Sequence, residues 1–359
     1  MKQTISLRQI ACLAGFMIFA NKVLVLPSLF YDSVGVDGVL LLILLFTVEI
    51  LILSIFFRLK KTFKTESFFQ ILSRFLSKYV AILIYIAIAF YFLIKSVTIY
   101  NIALLYLKNQ VYFEAGENVF LICFLTISNN LVLRGKRSTA RTCEFFYTFT
   151  VSLIFFCVVA SCTNYIGMPT MFNHSFFDLT KSTFPYLFFF GDTLFLFLIM
   201  HKVEYKKESV KKVFIFAIIN MILTIALYAV FYSVFRYNGF MHNNAASDVI
   251  TFSNKYSGVG IIEFVAVVVI MILEYFQLTV YNTSFHECFM SIFPKQGKIS
   301  SIISFDVLFI FLLNFFLKDY VYSLAFNMSI MPYFALILQY IIPAVVLIFS
   351  LFVKRRSNE

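Results

Sequence analysis

Several residue types that mark metal-binding or catalytic proteins are scarce or scattered in this 359-residue chain. Tryptophan is absent, and charged residues make up only 13% of the sequence. The six cysteines form no Cys-x-x-Cys pair and no other metal-ligand spacing, which argues against a metal site. The four histidines lie at or near expected loops, and no nucleophile constellation is visible. We therefore expect no enzyme, no metal and no cofactor.

Apolar residues are abundant instead. They form 61% of the chain, and the mean hydropathy is +0.91, whereas soluble domains contain roughly 45–50% apolar residues. The formal net charge of +11 comes from Lys and Arg residues that flank apolar stretches, so we expect no nucleic-acid partner. The first apolar run contains Lys22 and lacks a small-residue cleavage pattern, which argues against a signal peptide. The sequence predicts an integral protein of the lipid bilayer.

Ten stretches are apolar enough to be membrane spans, which need about 20 such residues. We predict an all-α protein with a single transmembrane domain over residues 1–359. The spans are expected near residues 7–30, 39–57, 80–107, 118–133, 143–163, 183–201, 213–235, 258–282, 299–317 and 331–353. The connection 58–79 has apolar residues at helical spacing with basic residues interleaved, and it is expected to hold a short interfacial helix.

Lys and Arg residues occupy alternate gaps between these spans. One set of gaps, together with both chain ends, holds 22 of the 29 basic residues. The opposite gaps hold five, which are Lys108, Lys181, Arg236, Lys255 and Lys318. Cytoplasmic loops of membrane proteins carry an excess of Lys and Arg. The asymmetry predicts that both termini are cytoplasmic and that the long connections 164–182 and 236–257 lie outside.

Ionisable residues inside the predicted spans are the clearest functional signal. A Lys or Asp at a helix centre costs roughly 2.5–3.5 kcal/mol on insertion scales, so it needs a partner or a water-filled cavity. At a rise of about 1.5 Å per residue, Lys22, Glu49, Lys95 and Asp192 lie about 12 to 18 Å below the outer span ends. Any pairing between these lysines and carboxylates is open, as structural ion pairs or as the lining of a binding cavity or ion path. Span eight adds Glu263 and Glu274.

Two predicted spans are interrupted. Asn21 and Lys22 break the apolar run of span one, and Pro27 stiffens its exit. Span six contains Gly191 and Asp192 midway. Gly lowers helix propensity by about 1 kcal/mol, and Asp competes for backbone hydrogen bonds. If the ten spans divide five plus five, the two interrupted spans are equivalent, which is where inverted-repeat transporters bind their substrates.

Short segments of the chain resemble a known family. The opening ISLRQ and the span-one ending VLVLPS, the segment FFFGDTLF in span six and the segment GIIEFVAVV in span eight carry the resemblance by their order and spacing. They are similar to the B subunits of spore germinant receptors, which are endospore germination permeases within the amino acid–polyamine–organocation superfamily. The length, the ten spans and the short polar tail agree with that family.

The resemblance implies a leucine-transporter-like five-plus-five inverted repeat that binds a small nutrient, often an amino acid, between helices one, three, six and eight. It also implies A and C subunits as partners in the spore inner membrane. The chain departs from the family pattern in span one, where Ala20, Asn21 and Lys22 replace a Gly and small polar residues. A lysine there can replace a coupling sodium ion, pair with Asp192 or meet a ligand carboxylate, and it argues against sodium coupling.

Two functions remain open. In the first, the chain is a receptor subunit that binds a nutrient between broken helices one and six and signals germination. In the second, it is a free-standing proton-coupled transporter of an amino acid or amine. A purely structural scaffold poorly explains four charged residues at one depth. The candidate ligand-binding residues are Ala20, Asn21, Lys22, Phe190, Gly191 and Asp192. The candidate buried charge network adds Glu49, Lys95 and Glu263.

Overall fold

Helices account for the regular structure of the described residues. The computed structural model describes residues 4–19, 22–111, 116–162, 167, 169–253, 260–315 and 319–356. Besides the helices, these ranges contain one isolated parallel β-bridge, between Ile5 and Val203.

The first half of the chain contains both short and long helices. They are α1 (Leu7–Phe19), α2 (Leu26–Val34), a 3₁₀ helix (Gly35–Asp37), α3 (Gly38–Thr62), α4 (Phe68–Phe75), α5 (Lys78–Val111), α6 (Glu117–Arg134) and α7 (Lys136–Ser161). Helix α4 lies in the connection where a short interfacial helix is predicted. It begins with a capping box, in which Ser67 accepts from the Gln70 N–H and Gln70 accepts from the Ser67 N–H.

The second half contains more interruptions. Its helices are α8 (Phe176–Thr183), a 3₁₀ helix (Phe184–Phe189), α9 (Leu194–Leu198), a 3₁₀ helix (Met200–Lys202), α10 (Lys207–Val234), a 3₁₀ helix (Gly239–Met241), α11 (Ala245–Ser253), α12 (Gly260–Ile292), α13 (Lys298–Phe315), α14 (Tyr320–Ser329), α15 (Met331–Ala335), a π-helix (Leu336–Ile341) and α16 (Ile342–Arg356).

Six helical stretches of the described chain are long and apolar enough to cross a bilayer alone. They are Leu26–Thr62, Lys78–Gln110, Val210–Val234, Phe264–Ile292, Lys298–Phe315 and Met331–Phe352. They correspond to predicted spans two, three and seven to ten. Predicted spans four and five are α6 and α7, which are bent by 119° from each other and qualify only as a pair. Predicted spans one and six do not qualify because each is divided into short helices.

One helix ends well beyond its predicted boundary. The sequence predicts an end of span eight near residue 282, but α12 continues to Ile292. The extension contains Glu287, which forms an ion pair with Lys136 at the start of α7. Glu287 therefore has a partner within the helix bundle, and this charged residue does not mark the start of a loop.

Asp37, between α2 and α3, contacts the connection that precedes predicted span six. Its side chain is fully buried between α2 and α3. The carboxylate accepts hydrogen bonds from the backbone N–H groups of Phe172, Asn173 and His174 at 2.7, 2.8 and 2.9 Å. The His174 ring nitrogen Nδ1 lies 3.0 Å from the same carboxylate. This contact holds the two interrupted parts of the fold together at one end.

Candidate functional site

The first break lies between α1 and α2, where the chain turns at Lys22–Val25. Tyr228 of α10 donates its hydroxyl to the Lys22 carbonyl at 2.7 Å. The N–H groups of Ala245 and Ala246, at the start of α11, donate to carbonyls of the turn at 3.0 and 3.2 Å. Because backbone polar groups at membrane depth need partners, α10 and α11 stabilise the non-helical conformation.

The second break lies at Gly191, whose φ of +77° is in the left-handed region that favours glycine. The carbonyls exposed by this break face the π-helix of the last span. With its amide nitrogen directed at the break, Gln339 donates to the Phe190 carbonyl at 2.8 Å and also to the Gly191 carbonyl. π-Helices are rare and occur frequently at functional sites. Here the π-helix directs a polar side chain at the break.

Four charged side chains meet between the two breaks, and we call them the charge cluster. Lys22 Nζ lies 3.2 Å from Glu49 Oε1 and 3.4 Å from Asp192 Oδ2. Lys95 Nζ lies 2.5 Å from Asp192 Oδ1. None of the four side chains is more than 3% exposed. Two lysines balance two carboxylates, which is the condition under which buried charges are tolerated.

Neutral donors add to the coordination of both carboxylates. The Gly191 N–H, freed by the break, donates to Glu49 Oε1 at 2.9 Å. The Tyr281 hydroxyl of α12 donates to Asp192 Oδ1 at 2.6 Å. Tyr281 in turn accepts from Gln277 Nε2 at 2.7 Å. Predicted spans one, two, three, six and eight are therefore connected through one hydrogen-bonded network.

Aromatic rings surround the two lysines. Lys22 Nζ lies 4.9 Å from the ring centroid of Phe190. Lys95 Nζ lies 5.3 Å from the centroids of Tyr91 and Phe188. A cation held within about 6 Å of a ring face gains cation–π attraction, which is stronger when the site is desolvated. The rings exclude water while stabilising the ammonium groups.

Three buried polar atoms beside the break have no hydrogen-bond partner among the described residues. They are Glu49 Oε2, Thr193 Oγ1 and the Tyr340 hydroxyl. Tyr340 adjoins the break directly, since a Cβ added to Gly191 would lie 2.9 Å from its hydroxyl. Buried polar groups are paired in most proteins, so a local group of three unpaired ones makes the break the candidate place for a polar ligand.

A cavity of about 580 Å³ lies elsewhere, between α6, α7 and α12. Its lining is largely apolar, including Phe146, Met271 and Tyr275, with Arg134 as its charged residue. It includes no member of the charge cluster. We place the candidate site at the breaks because the buried charged groups lie there and not in this cavity. Among the described residues, no group of three or more His, Cys, Asp or Glu side chains is placed to hold a metal ion.

The structure brings most of the candidate residues from the sequence into one place. Lys22, Glu49, Lys95, Phe190, Gly191 and Asp192 all lie at the charge cluster. Ala20 and Asn21 fall outside the described residues. Glu263 lies in α12, but its side chain is also outside the described part of the chain.

Sequence reasoning missed three contributors to the site, which are Tyr281, Gln339 and Tyr340. Gln339 carried a weak signal, as a polar residue inside an apolar span. Tyr281 and Tyr340 are two of 21 tyrosines and carried none. Their contribution depends on contacts between helices far apart in the sequence, which local patterns do not encode.

Comparisons with known proteins bear on the family and the fold. Residues 4–321 match the model of a protein family described as spore germination protein. A solved structure of a Na⁺-coupled sialic acid symporter, in a substrate-bound outward-open state, is similar with a TM-score of 0.57 and 11% identity. The match covers 92% of this chain and 75% of the symporter chain. No curated protein gave a match. The predicted all-α, leucine-transporter-like fold class is confirmed.

Proposed function

The chain belongs to the spore germination protein family, and from this we propose that it is the membrane subunit of a spore nutrient germinant receptor. In this proposal a small nutrient, an amino acid, binds between broken helices one and six, and its binding signals germination. The observation that carries the proposal is the balanced charge cluster at the two breaks, where Lys22 and Lys95 meet Glu49 and Asp192.

The balance of charges favours a zwitterionic ligand. A ligand that enters the cluster must separate at least one lysine from its carboxylate. An amino acid offers a carboxylate to the lysine and an ammonium to the carboxylate, so every charge keeps a partner. A ligand with a net charge would leave one buried charge unpaired, and an unpaired buried charge is strongly destabilising. The cluster therefore supports an amino acid over a simple amine or carboxylic acid.

The unpaired atoms beside the break support the same ligand. Glu49 Oε2 is an acceptor without a partner among the described residues, and an ammonium donates three hydrogen bonds. The hydroxyls of Thr193 and Tyr340 are available to donate to a carboxylate. We propose that these three atoms contact the bound nutrient.

Lys22 argues against a sodium-coupled mechanism. Besides its two carboxylate contacts, its Nζ donates to the Met17 carbonyl at 2.8 Å. This carbonyl lies in the last turn of α1, where the helix dipole favours a cation. A lysine ammonium with three oxygen contacts at the end of a broken helix supplies the positive charge that a coupling ion would otherwise bring.

Signalling follows from the contacts that the nutrient replaces. Asp192 joins the second break to α5 through Lys95, so a ligand ammonium that competes for Asp192 loosens this link. We propose that the resulting movement of α5 against the broken spans is transmitted to A and C subunits. We also propose that the protein lies in the spore inner membrane or cell membrane with both termini in the cytoplasm, on the basis of its basic gaps.

The test uses the full-length protein in lipid nanodiscs. Its thermal stability is measured with each common amino acid, and then with the decarboxylated and deaminated analogues of any amino acid that binds. A ligand at 100 times its Kd stabilises the folded state by about 2.7 kcal/mol. We expect stabilisation by an amino acid and much less by either analogue. Stabilisation by an analogue equal to that by the amino acid would overturn the zwitterion site. So would a failure of every amino acid to stabilise the protein.

A germination assay then tests the receptor role. Spores that lack this chain should lose their response to the amino acid identified in nanodiscs, and the wild-type gene should restore it. A normal response of the deletion strain to a full nutrient panel would contradict the proposal.

The second candidate function is a free-standing proton-coupled transporter of an amino acid or amine. The similarity of the fold to that of a symporter favours it. Proteoliposomes that contain only this chain distinguish the two functions. Accumulation of the bound amino acid, driven by a proton gradient, supports transport, whereas binding without accumulation supports a receptor.

A further inference from the structure

Glu274 is a buried carboxyl outside the charge cluster. It lies in α12, it is 0% exposed, and neither of its carboxyl oxygens has a hydrogen-bond partner among the described residues. Gln277 and Tyr281 follow one and two turns later on the same face of the helix. The Tyr281 ring packs against Phe92 of α5 with centroids 5.5 Å apart. This polar face of α12 is therefore directed at α5.

The acidic groups and several of the basic groups of the helices packed against α12 have partners of their own. They pair as Arg8 with Glu144 (α1 and α7), Lys95 with Asp192 (α5 and the second break), Lys108 with Glu117 (α5 and α6), Lys136 with Glu287 (α7 and α12), Asp306 with Asn129 (α13 and α6), and His242 with Asp248 of α11. On α5, the Tyr91 hydroxyl donates to Gln339 Oε1, and the Tyr100 hydroxyl donates to the carbonyl of Glu117 at 3.1 Å. No described residue pairs with Glu274.

The absence of a partner determines the charge state of this group. An isolated carboxylate in an apolar interior is far more costly than the neutral acid, so such a group takes up a proton. Ionisable residues at membrane depth commonly mark proton relays in pumps and transporters. We propose that Glu274 is a proton-binding site, and that it holds one proton in the arrangement described here. This site does not depend on the proposed nutrient site.

Proton occupancy is then coupled to the packing of α5 against α12. When the interface between these helices admits water, Glu274 ionises and releases its proton to that water. When the interface closes, the carboxylate takes a proton back. The closed arrangement holds one proton more, so a rise in pH favours opening. Opening also affects the charge cluster, because Gln277 bonds to Tyr281 and Tyr281 bonds to Asp192.

Infrared spectroscopy of the purified full-length protein tests the proton directly. A protonated carboxyl has a C=O stretching band that is separate from the carboxylate bands. We expect this band at neutral pH in the wild type, shifted by ¹³C-labelling of glutamate and lost in Glu274→Gln. Glu274→Asp should keep a band at a changed frequency. A wild-type spectrum with no glutamate-dependent band at neutral pH would overturn the proposal, whether or not the variants fold.

Two matched variants identify the group. Glu117→Gln removes an exposed carboxylate paired with Lys108, and it should leave the band unchanged. Glu49→Gln removes another buried glutamate with an unpartnered oxygen, and the band should persist there too. A band that disappears in Glu49→Gln and remains in Glu274→Gln would place the proton in the charge cluster and refute the assignment.

Thermal unfolding as a function of pH gives a second readout. A neutral buried acid stabilises the folded protein below the pH at which the unfolded side chain ionises, and this contribution is lost as the pH rises. The unfolding temperature of Glu274→Gln should therefore increase relative to the wild type as the pH rises, whereas Glu117→Gln should show no such trend. A constant difference between Glu274→Gln and the wild type at every pH would contradict proton binding.

Discussion

Lys95 Nζ lies 2.5 Å from Asp192 Oδ1, so the unbroken α5 is tied directly to the second break of the chain. Lys22, on the other broken span, lies 3.4 Å from the second carboxylate oxygen. Depth alone leaves every pairing among these residues open. In the folded chain, Asp192 is shared between both lysines, and the tighter of its two contacts is with the lysine of the unbroken helix.

Removal of the Asp192 charge should destabilise the protein strongly. Asp192→Asn leaves two buried lysines with one carboxylate, and breaking a buried ion pair in this way costs about 3–5 kcal/mol. Lys95→Met alone leaves the opposite imbalance. The double variant Asp192→Asn/Lys95→Met restores the balance of charges, and we expect it to recover folded protein beyond either single variant. Monodisperse yield in detergent and unfolding temperature measure the effect.

The surface pair Lys108–Glu117 is the control for this experiment. Its side chains are 42% and 57% exposed, so neutralising one member should change stability by no more than about 1 kcal/mol. If the double variant is no more stable than the more stable of the two single variants, charge balance is not what holds the cluster together.

Gly191→Ala should damage the second break. The φ of +77° is unfavourable for any L-residue by about 1–2 kcal/mol. The added Cβ would also overlap the side-chain amide of Gln339 and lie 2.9 Å from the Tyr340 hydroxyl. We expect a lower unfolding temperature and a higher nutrient concentration for half-maximal germination.

Two further variants separate the causes. Gly297→Ala places a Cβ where no atom lies within 4 Å, and it should behave as the wild type. Combining Gly191→Ala with Gln339→Ala removes the overlap and retains the backbone strain, so recovery should be partial. If Gly191→Ala alone is as stable as the wild type, the backbone conformation at residue 191 in the membrane differs from the one described here.

The charge asymmetry predicts a definite topology. In a chain whose native cysteines have been replaced, single cysteines at Asn173 and Asn243 should react with a membrane-impermeant maleimide from outside intact cells. Both positions are exposed. Arg137 is a better cytoplasmic probe than Lys136, because Lys136 is only 10% exposed and pairs with Glu287. A cysteine at Arg137 should react only after the cells are opened. Labelling of Arg137 from outside would reverse the topology.

The fold is largely predictable because its signals are local. Continuous apolar runs and the placement of basic residues identify the spans. Gly191 and Asp192 mark the second break because both residues are poor helix formers. The donors that stabilise the first break, Tyr228 and Ala245, are not predictable. They are more than 200 residues away in the sequence, and no local pattern connects them with Lys22.

The site is predictable for its charges and for the break at Gly191, but not for most of its other neutral residues. Charged residues at similar depth need partners, and this requirement alone groups Lys22, Glu49, Lys95 and Asp192 from their positions in the sequence. The neutral residues of the site follow a different logic. Gln339 reaches the break because a π-helix alters the register of the last span. Pro343, just after the π-helix, signals a change in the helical hydrogen bonding, but it does not specify which side chain is directed at the break.

A variant of Tyr340 distinguishes most clearly between a structural role and a ligand-binding role of a side chain at the site. Its buried hydroxyl has no partner among the described residues, and an unsatisfied buried polar group costs about 1–3 kcal/mol. Tyr340→Phe should therefore leave the ligand-free protein as stable as the wild type or more stable. If the hydroxyl donates to the nutrient, the same variant should raise the nutrient concentration needed for half-maximal germination.

Tyr281→Phe is the matched control for Tyr340→Phe, since it removes a hydroxyl that donates to Asp192 at 2.6 Å. A hydrogen bond to a charged group contributes about 1.5–3 kcal/mol, so this variant should unfold at a lower temperature without ligand. Unfolding temperature in nanodiscs and the nutrient dose response of complemented spores give the two readouts. A destabilised Tyr340→Phe protein with an unchanged dose response would show that the hydroxyl serves packing and not the nutrient.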